Sequence, residues 1–431
     1  MLALSLGVIK NGKRETNILK VKNTLLPSIT GCLFVQLCVG ILYLWSMFRG
    51  PVVAHYNWSN EAATMVFSYM MVAFVAGNLI GGFFQDKTNP KLVATIGCVI
   101  FCGGIFLTSL LTERNIKLIY LTYSGMSGIG CGFVYGSVLS CLQKWMPHRR
   151  GFASGLSVSA FGLSTVVFGP LSSWLLSLPA FEGNAVPMTF RTLSIVFFIV
   201  SMAACVLIRL PSQAYLNSLN LPASVSNTAS KTPGQAIRYL PFCCVVLSCF
   251  LISGIWNIVS PAIKDLGAAR GLSESLAVAA VSLSGIANTA GRLSMASLSD
   301  KIGRGKTVQI LGLLTLSASL GMIYFGGLIM VLLVLALAFA YGGASATFPA
   351  IIADLCGTKY LGTNFGISLL SLGFSSILFN AVSNAMIMAT GSDTLSFLFG
   401  GAAGVLPVLL MLPVNNAYKK LAQAAKGAVA E

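Results

Sequence analysis

The sequence predicts an all-α membrane protein, with twelve transmembrane helices forming two pseudo-symmetric six-helix bundles. Three observations carry this expectation. Apolar runs longer than the roughly 18 residues that mark a spanning helix recur along the whole chain. Charged residues make up only 9% of the chain, where a soluble domain carries about 25%, and they collect in the short breaks between the runs. Landmark residues also repeat at one offset, 214 positions from Asp86 to Asp300, about half of the 431 residues.

The first span, 25–48, follows a basic stretch holding Lys10, Lys13, Arg14, Lys20 and Lys22. The apolar run Leu2 to Ile9 is short and precedes these cations, so it does not read as a cleavable signal. The second span, 62–85, opens after Ser59 and Asn60, which suit a helix cap better than the glycosylation sequon Asn57-Trp58-Ser59, and closes at Asp86-Lys87. The third covers 92–112. The fourth, 118–144, and fifth, 151–178, carry Gly125, Gly128, Gly130, Gly132, Gly136, Gly151, Gly155 and Gly162, which suit close helix packing. Lys144-Trp145-Met146-Pro147-His148-Arg149-Arg150 between them reads as an interfacial aromatic with basic neighbours. The sixth span is 191–209. Residues 210–238, with Pro211, Pro222, Pro233 and many small polar residues, form a linker. Spans at 239–262, 274–299, 306–326, 327–352, 360–388 and 392–414 follow, the ninth and tenth parted only by Gly326-Gly327. At 1.5 Å per residue each crosses a hydrocarbon core of about 30 Å, some of them tilted. The domains are therefore a terminal segment 1–24, a bundle 25–209, a linker 210–238, a bundle 239–414 and a tail 415–431.

A net charge of +16 would suggest nucleic acid in a soluble protein. Here the cations follow topology instead. Segments on the side of the two termini hold 20 Lys and Arg, and the opposite loops hold 6. That asymmetry places both termini in the cytoplasm and argues for a lipid bilayer, with no nucleic acid, as the charged partner. A plasma or inner membrane is the default location, and a monomer the default unit. The eleven cysteines lie in or beside apolar runs without metal-ligand spacing, so they read as packing residues and imply no disulfide framework.

The offset of 214 also takes Pro27 to Pro241 and Ala76-Gly77-Asn78 to Ala290-Gly291-Arg292. An internal duplication explains all three coincidences, and a repeat interface is where transporters of this build place a substrate. In the two loops, Gly303 supplies a residue tolerant of positive φ, and Asn89 is suited to the same task. Asp86, Lys87, Asp300, Lys301 and Arg304 therefore read as gating and packing elements, the aspartates able to meet basic residues or a helix N-terminus.

Arg292 carries the chemistry. It lies eight residues before Asp300, so roughly 12 Å into the eighth span. A cation there costs at least about 2.5–3.5 kcal/mol unless it faces protein or a watery cavity. An internal salt bridge is the plain explanation, yet no Asp or Glu lies deep in any span. A visiting anion remains, and a guanidinium grips a carboxylate through two parallel hydrogen bonds. Tyr43, Trp45, Tyr135 and Tyr341 sit in apolar helices, where packing or lipid contact is the default and a cavity lining the alternative. With His55 and His148 both in loops, the sequence offers no metal cluster, phosphate loop or nucleophile–base pair, hence no cofactor and no enzyme.

At these residues the chain resembles the major facilitator superfamily, and within it the oxalate:formate antiporter branch that includes bacterial pyruvate-type carriers. The resemblance rests on Gly40-Ile-Leu-Tyr43-Leu-Trp45-Ser46-Met-Phe48, on Val134-Tyr135-Gly136, and on Lys144-Trp145-Met-Pro147-His-Arg149-Arg150-Gly151-Phe-Ala153-Ser-Gly155. Gly291-Arg292 with Ser299-Asp300-Lys301-Ile302-Gly303-Arg304, and Tyr341-Gly342-Gly343 with Phe348-Pro349, complete it. It implies alternating access between two bundles, Arg292 as the substrate-binding arginine, and Tyr43 and Tyr135 as cavity aromatics. Tyr341 stands where the oxalate carrier has a tryptophan. Leu372 stands where oxalate carriers hold a second cation, a lysine, so a dianion would be half compensated. Asn288 replaces the aspartate that animal-type monocarboxylate–proton symporters carry one turn before this arginine, so their proton mechanism does not transfer.

The expectation is a secondary transporter for a small monocarboxylate, of the pyruvate, lactate or formate type. The alternatives are an oxalate/formate-type antiporter, or a carrier or sensor for another small organic solute in which Arg292 is structural.

Overall fold

The computed structural model describes residues 15–219 and 230–430. Lys10, Lys13, Arg14 and the linker centre, 220–229, lie outside the described residues, as do the side chains of Lys20, Lys22 and Tyr43. All regular structure among the described residues is helical.

In the first half, α1 (Glu15–Val39) passes through a 3-10 turn, Gly40–Leu44, into α2 (Trp45–His55). Then come α3 (Asn60–Lys87), α4 (Pro90–Thr108), α5 (Gly128–Trp145), α6 (Arg150–Leu176) and α7 (Ala185–Leu207). Two short helices, α8 (Gln213–Ser218) and α9 (Pro233–Ile237), belong to the connection. The second half holds α10 (Leu240–Ala269), α11 (Glu274–Ile302), α12 (Arg304–Tyr324), α13 (Gly327–Cys356), α14 (Leu361–Thr390) and α15 (Thr394–Ala430). Eleven helical stretches are long and apolar enough to cross a membrane, and α1, the turn and α2 supply the twelfth span.

Local chemistry sets the ends of these helices. The Ser59 hydroxyl accepts from the Ala62 amide at 3.2 Å and caps α3. Asn89 accepts from the Leu92 amide at 2.9 Å with Pro90 in the first turn, so α4 starts sharply. Between α12 and α13 the chain turns at Gly327, whose φ of 56° only glycine adopts cheaply.

Two features depart from twelve plain helices. The first span breaks at Gly40, where a Cβ would lie 2.1 Å from the Phe161 carbonyl oxygen, so α6 crosses there at backbone contact. The fourth contains a π-helical stretch, Tyr120–Ser127, whose Ser124 and Ser127 hydroxyls donate to the Val66 and Phe101 carbonyls.

Successive spans run antiparallel, so both described ends of the chain share one face with the connections α3–α4, α5–α6, α11–α12 and α13–α14. We call this the termini face. In the first half α3 and α4 pack on α5, and α1 on α7; in the second, α11 packs on α13, and α10 and α12 on α15. The halves meet where α3 lies against α14 and α6 against α11. Large apolar side chains such as Val72, Val206, Leu332 and Ile377 are exposed around the outside, as a lipid-facing surface requires.

Candidate functional site

The α6–α11 contact builds the centre of the site. Arg292 is only 6% exposed, and its Nη1 donates to the Val158 carbonyl of α6 at 2.9 Å. Two glycines make that possible. A Cβ on Gly155 would lie 2.5 Å from the Arg292 carbonyl oxygen, so its absence lets the two helix backbones touch. A Cβ on Gly162 would lie 2.7 Å from Arg292 Nη1, so glycine there clears the approach to Val158. Nε is sealed from solvent without a partner, and no carboxylate stands within ion-pair distance of Arg292 among the described residues. The sequence left this arginine without a resident acid; the structure supplies a backbone carbonyl instead.

Asn288, one turn away on α11, is buried against α13, where a Cβ on Gly342 would sit 2.9 Å from its Oδ1. Tyr341 of α13 is half-buried and stacks on Trp256, ring centroids 5.8 Å apart. Tyr135 of α5 is buried against three rings: Phe74 and Phe161 edge-on, and Phe365 of α14 stacked at 6.2 Å across the half interface. Phe161 adjoins Gly162 in the chain, which brings Tyr135 to the Arg292 region through one intervening ring. Leu372 of α14 is half-buried and packs against the hydrophobic core. Tyr43 falls in the 3-10 turn, with its side chain outside the described residues.

Three carboxylates cross the half interface at the termini face. Asp86, at the end of α3, accepts from the Gly362 and Thr363 amides at 3.0 and 2.8 Å and from the Thr363 hydroxyl at 2.7 Å. Asp300, at the end of α11, accepts from the Gly151 and Phe152 amides, both at 2.9 Å. Each aspartate thus satisfies amides in the first turn of a helix in the other half, where orphan donors and the helix dipole favour an anion. Arg304 bonds Asp300 at 2.9 Å and also pairs with Asp354. Asp354 receives Arg150 Nη1 from the first half at 2.8 Å and the Tyr418 hydroxyl at 3.1 Å. Lys87 is exposed, its ammonium 3.9 Å from the Phe83 ring centroid, and Lys301 is exposed as well.

Some of this was missed in the sequence. The segment ending at Arg150 reads there as an interfacial run, but Trp145 is buried and donates to the Arg209 carbonyl at 2.7 Å, while Arg150 is buried in an ion pair. The partners of the aspartates were also missed, though a signal existed: Gly151-x-x-x-Gly155 recurs as Gly362-x-x-x-Gly366 at an offset of 211. The linker is held at both described ends. Tyr215 donates to the Trp145 carbonyl at 3.2 Å, and burial pushes its phenol above its ordinary pKa. Lys231 donates to the Leu355 carbonyl at 3.2 Å and accepts from Asn364 at 3.1 Å.

Comparison with known proteins adds to this geometry. The family model of the Major Facilitator Superfamily matches residues 30–243 and 242–430. The oxalate:formate antiporter of Oxalobacter formigenes is 26% identical over 348 residues, covering 78% of this chain and 79% of its own length. Monocarboxylate transporter 13 of Rattus norvegicus is 24% identical over 370 residues, covering 85% and 83%. A solved structure of the E. coli fucose:proton symporter superposes with a TM-score of 0.69 over 89% of this chain and 97% of that one. At 13% identity that likeness concerns the fold alone.

Proposed function

This chain belongs to the major facilitator superfamily and is a secondary transporter working by alternating access, and we propose that it carries a small monocarboxylate of the pyruvate, lactate or formate type. The observation behind the substrate class is Arg292, a buried guanidinium on α11 at the contact between the halves, without a carboxylate partner among the described residues. Such a charge is expensive in a membrane interior until an anion joins it. A carboxylate matches the guanidinium fork, and one negative charge balances one positive charge. Leu372, where the resemblance to oxalate carriers expects a lysine, adds no second charge, so a dianion would remain half compensated. Tyr135 and Tyr341, together with Tyr43, are the aromatics we assign to the cavity wall, with Asn288 beside the arginine.

In this reading Asp86 and Asp300 gate the termini face, together with Arg304. We take that face as cytoplasmic because it carries 20 of the Lys and Arg against 6 opposite. A monomeric unit fits a site built between two halves of one chain, and a plasma or inner membrane is the location we assign to it.

Counterflow in proteoliposomes tests the proposal. Vesicles preloaded with pyruvate, lactate or formate should accumulate the labelled anion, and Arg292→Gln should abolish saturable uptake. Exchange of oxalate would overturn the single-cation argument. Unchanged kinetics in Arg292→Gln would overturn the role of the arginine. The bond from Arg292 to Val158 favours one second reading, in which Arg292 braces the halves of a carrier for another small solute. Failure of short carboxylates to compete for uptake would select that reading.

A further inference from the structure

The eleven cysteines read in the sequence as packing residues, yet the structure brings two of them into contact. Cys98 of α4 and Cys205 of α7 stand 107 positions apart in the chain, with their Sγ atoms 4.0 Å from each other. The two helices pack side by side and hold both sulfurs in one seam. A disulfide is about 2.05 Å long, so the pair has only about 2 Å to close.

Charge and depth favour chemistry at this pair. Lys91, in the first turn of α4, sends its ammonium to the Val206 carbonyl at 3.3 Å, one residue along from Cys205. A cation beside a thiol is the setting in which cysteine sulfur acts as a nucleophile. Cys205 is 3% exposed, but it lies two residues from the end of α7. Its chain neighbours Val206 and Leu207 are 70% and 40% exposed. A layer that thin turns away bulky reagents and admits one the size of water. Cys98 is fully sealed behind it, in the place of a resolving thiol.

We propose that Cys98 and Cys205 form a peroxide-reactive dithiol that closes a reversible disulfide between α4 and α7. The Cys205 sulfur attacks one oxygen of a hydroperoxide: an S–O bond forms, the O–O bond breaks, and the other oxygen leaves as water, or as an alcohol from an organic peroxide. The Cys98 sulfur then attacks the sulfenic sulfur: an S–S bond forms, the S–O bond breaks, and water leaves. Both thiol protons end in these products. Each sulfur gives up one electron, and the peroxide takes the pair. On a face we take as cytoplasmic, such a disulfide is a transient redox response, not a permanent staple. The principal contacts between the halves run through α3, α5, α6, α11, α13 and α14. The disulfide therefore braces the first half without tying it to the second.

The test exposes reduced protein in detergent to dilute hydrogen peroxide and maps its cysteines by mass spectrometry. Cys243, which is exposed and donates to the Ile237 carbonyl at 2.9 Å, serves as the internal control. Linked peptides carrying Cys98 and Cys205 should accumulate before Cys243 is oxidised. Cys98→Ser should stop the reaction at a sulfenic acid on Cys205, trapped by dimedone, and Cys205→Ser should leave Cys98 reduced. Oxidised wild type should unfold several degrees above the reduced form, a rise that Cys98→Ser lacks. The wild-type map decides alone should a variant misfold. Oxidation of Cys243 while the pair stays reduced would overturn the proposal, and so would a disulfide joining other cysteines. An unchanged unfolding midpoint in oxidised wild type would overturn the brace.

Discussion

The two aspartates at the termini face occupy equivalent places in the duplicated chain, yet they are held differently. Asp86 meets the first turn of α14 with two amides and the Thr363 hydroxyl, all neutral donors. Asp300 meets the first turn of α6 with two amides and the Arg304 guanidinium, and Arg304 continues to Asp354 and so to Arg150. The shared part is backbone geometry, inherited by both copies. The difference is side-chain chemistry: one clasp uses neutral donors alone, while the other ends in a buried ion network. Because Arg150 belongs to the first half and Asp354 to the second, that network spans the halves a second time. A duplicated scaffold thus carries two locks of unequal strength.

The largest effect should come from Asp354→Asn. It leaves Arg150 and Arg304 short of their shared carboxylate in a buried setting, a loss of about 3–5 kcal/mol in the closed state. Thermal unfolding in detergent should show a clear drop. An unchanged midpoint would mean that water already compensates both arginines, and the inequality between the locks would vanish.

Asp300→Asn against Asp86→Asn sharpens the comparison, read by hydrogen exchange at the first turns of α6 and α14. Each charge-assisted bond is worth about 1.5–3 kcal/mol, so each variant should deprotect its own partner turn. Asp300→Asn should have the larger global effect, since it also unbalances Arg304. Equal deprotection of both turns by either variant would show a single cooperative gate in place of two locks. The smallest effect is expected for Thr363→Val, which removes one of the three hydrogen bonds on Asp86, worth about 1.5–3 kcal/mol, and leaves Asp86 its two amides. Its transport rate should change less than that of Asp86→Asn; an equal loss would make the hydroxyl, not the helix terminus, the partner that matters.

Much of the fold was legible because a membrane enforces it: long apolar runs and charged breaks follow from solvation, and the basic side from the Lys and Arg bias of inside loops. The 3-10 turn at Gly40–Leu44 and the π stretch at Tyr120–Ser127 were not, since hydropathy has no record of helix phase. At the site, Arg292 stood out because a lone cation in a span is costly. Its partner did not, because every residue has a carbonyl and Val158 carries no side-chain signature of donating one. The aspartates were visible through their offset, but the residues they bind lie 276 and 149 positions away. A repeat reveals that two segments are copies without revealing which copy touches which.

At the Asp86 clasp the halves meet glycine on glycine: a Cβ on Gly82 would lie 2.3 Å from the Gly362 carbonyl oxygen. No rotamer is frozen when such a surface closes and none is released when it opens, because glycine has no side-chain entropy to lose. The two glycines can therefore part and meet again in every cycle without reordering a side chain of their own. Side-chain ordering at this joint is thus left to Asp86 and Thr363, whose hydrogen bonds close the clasp.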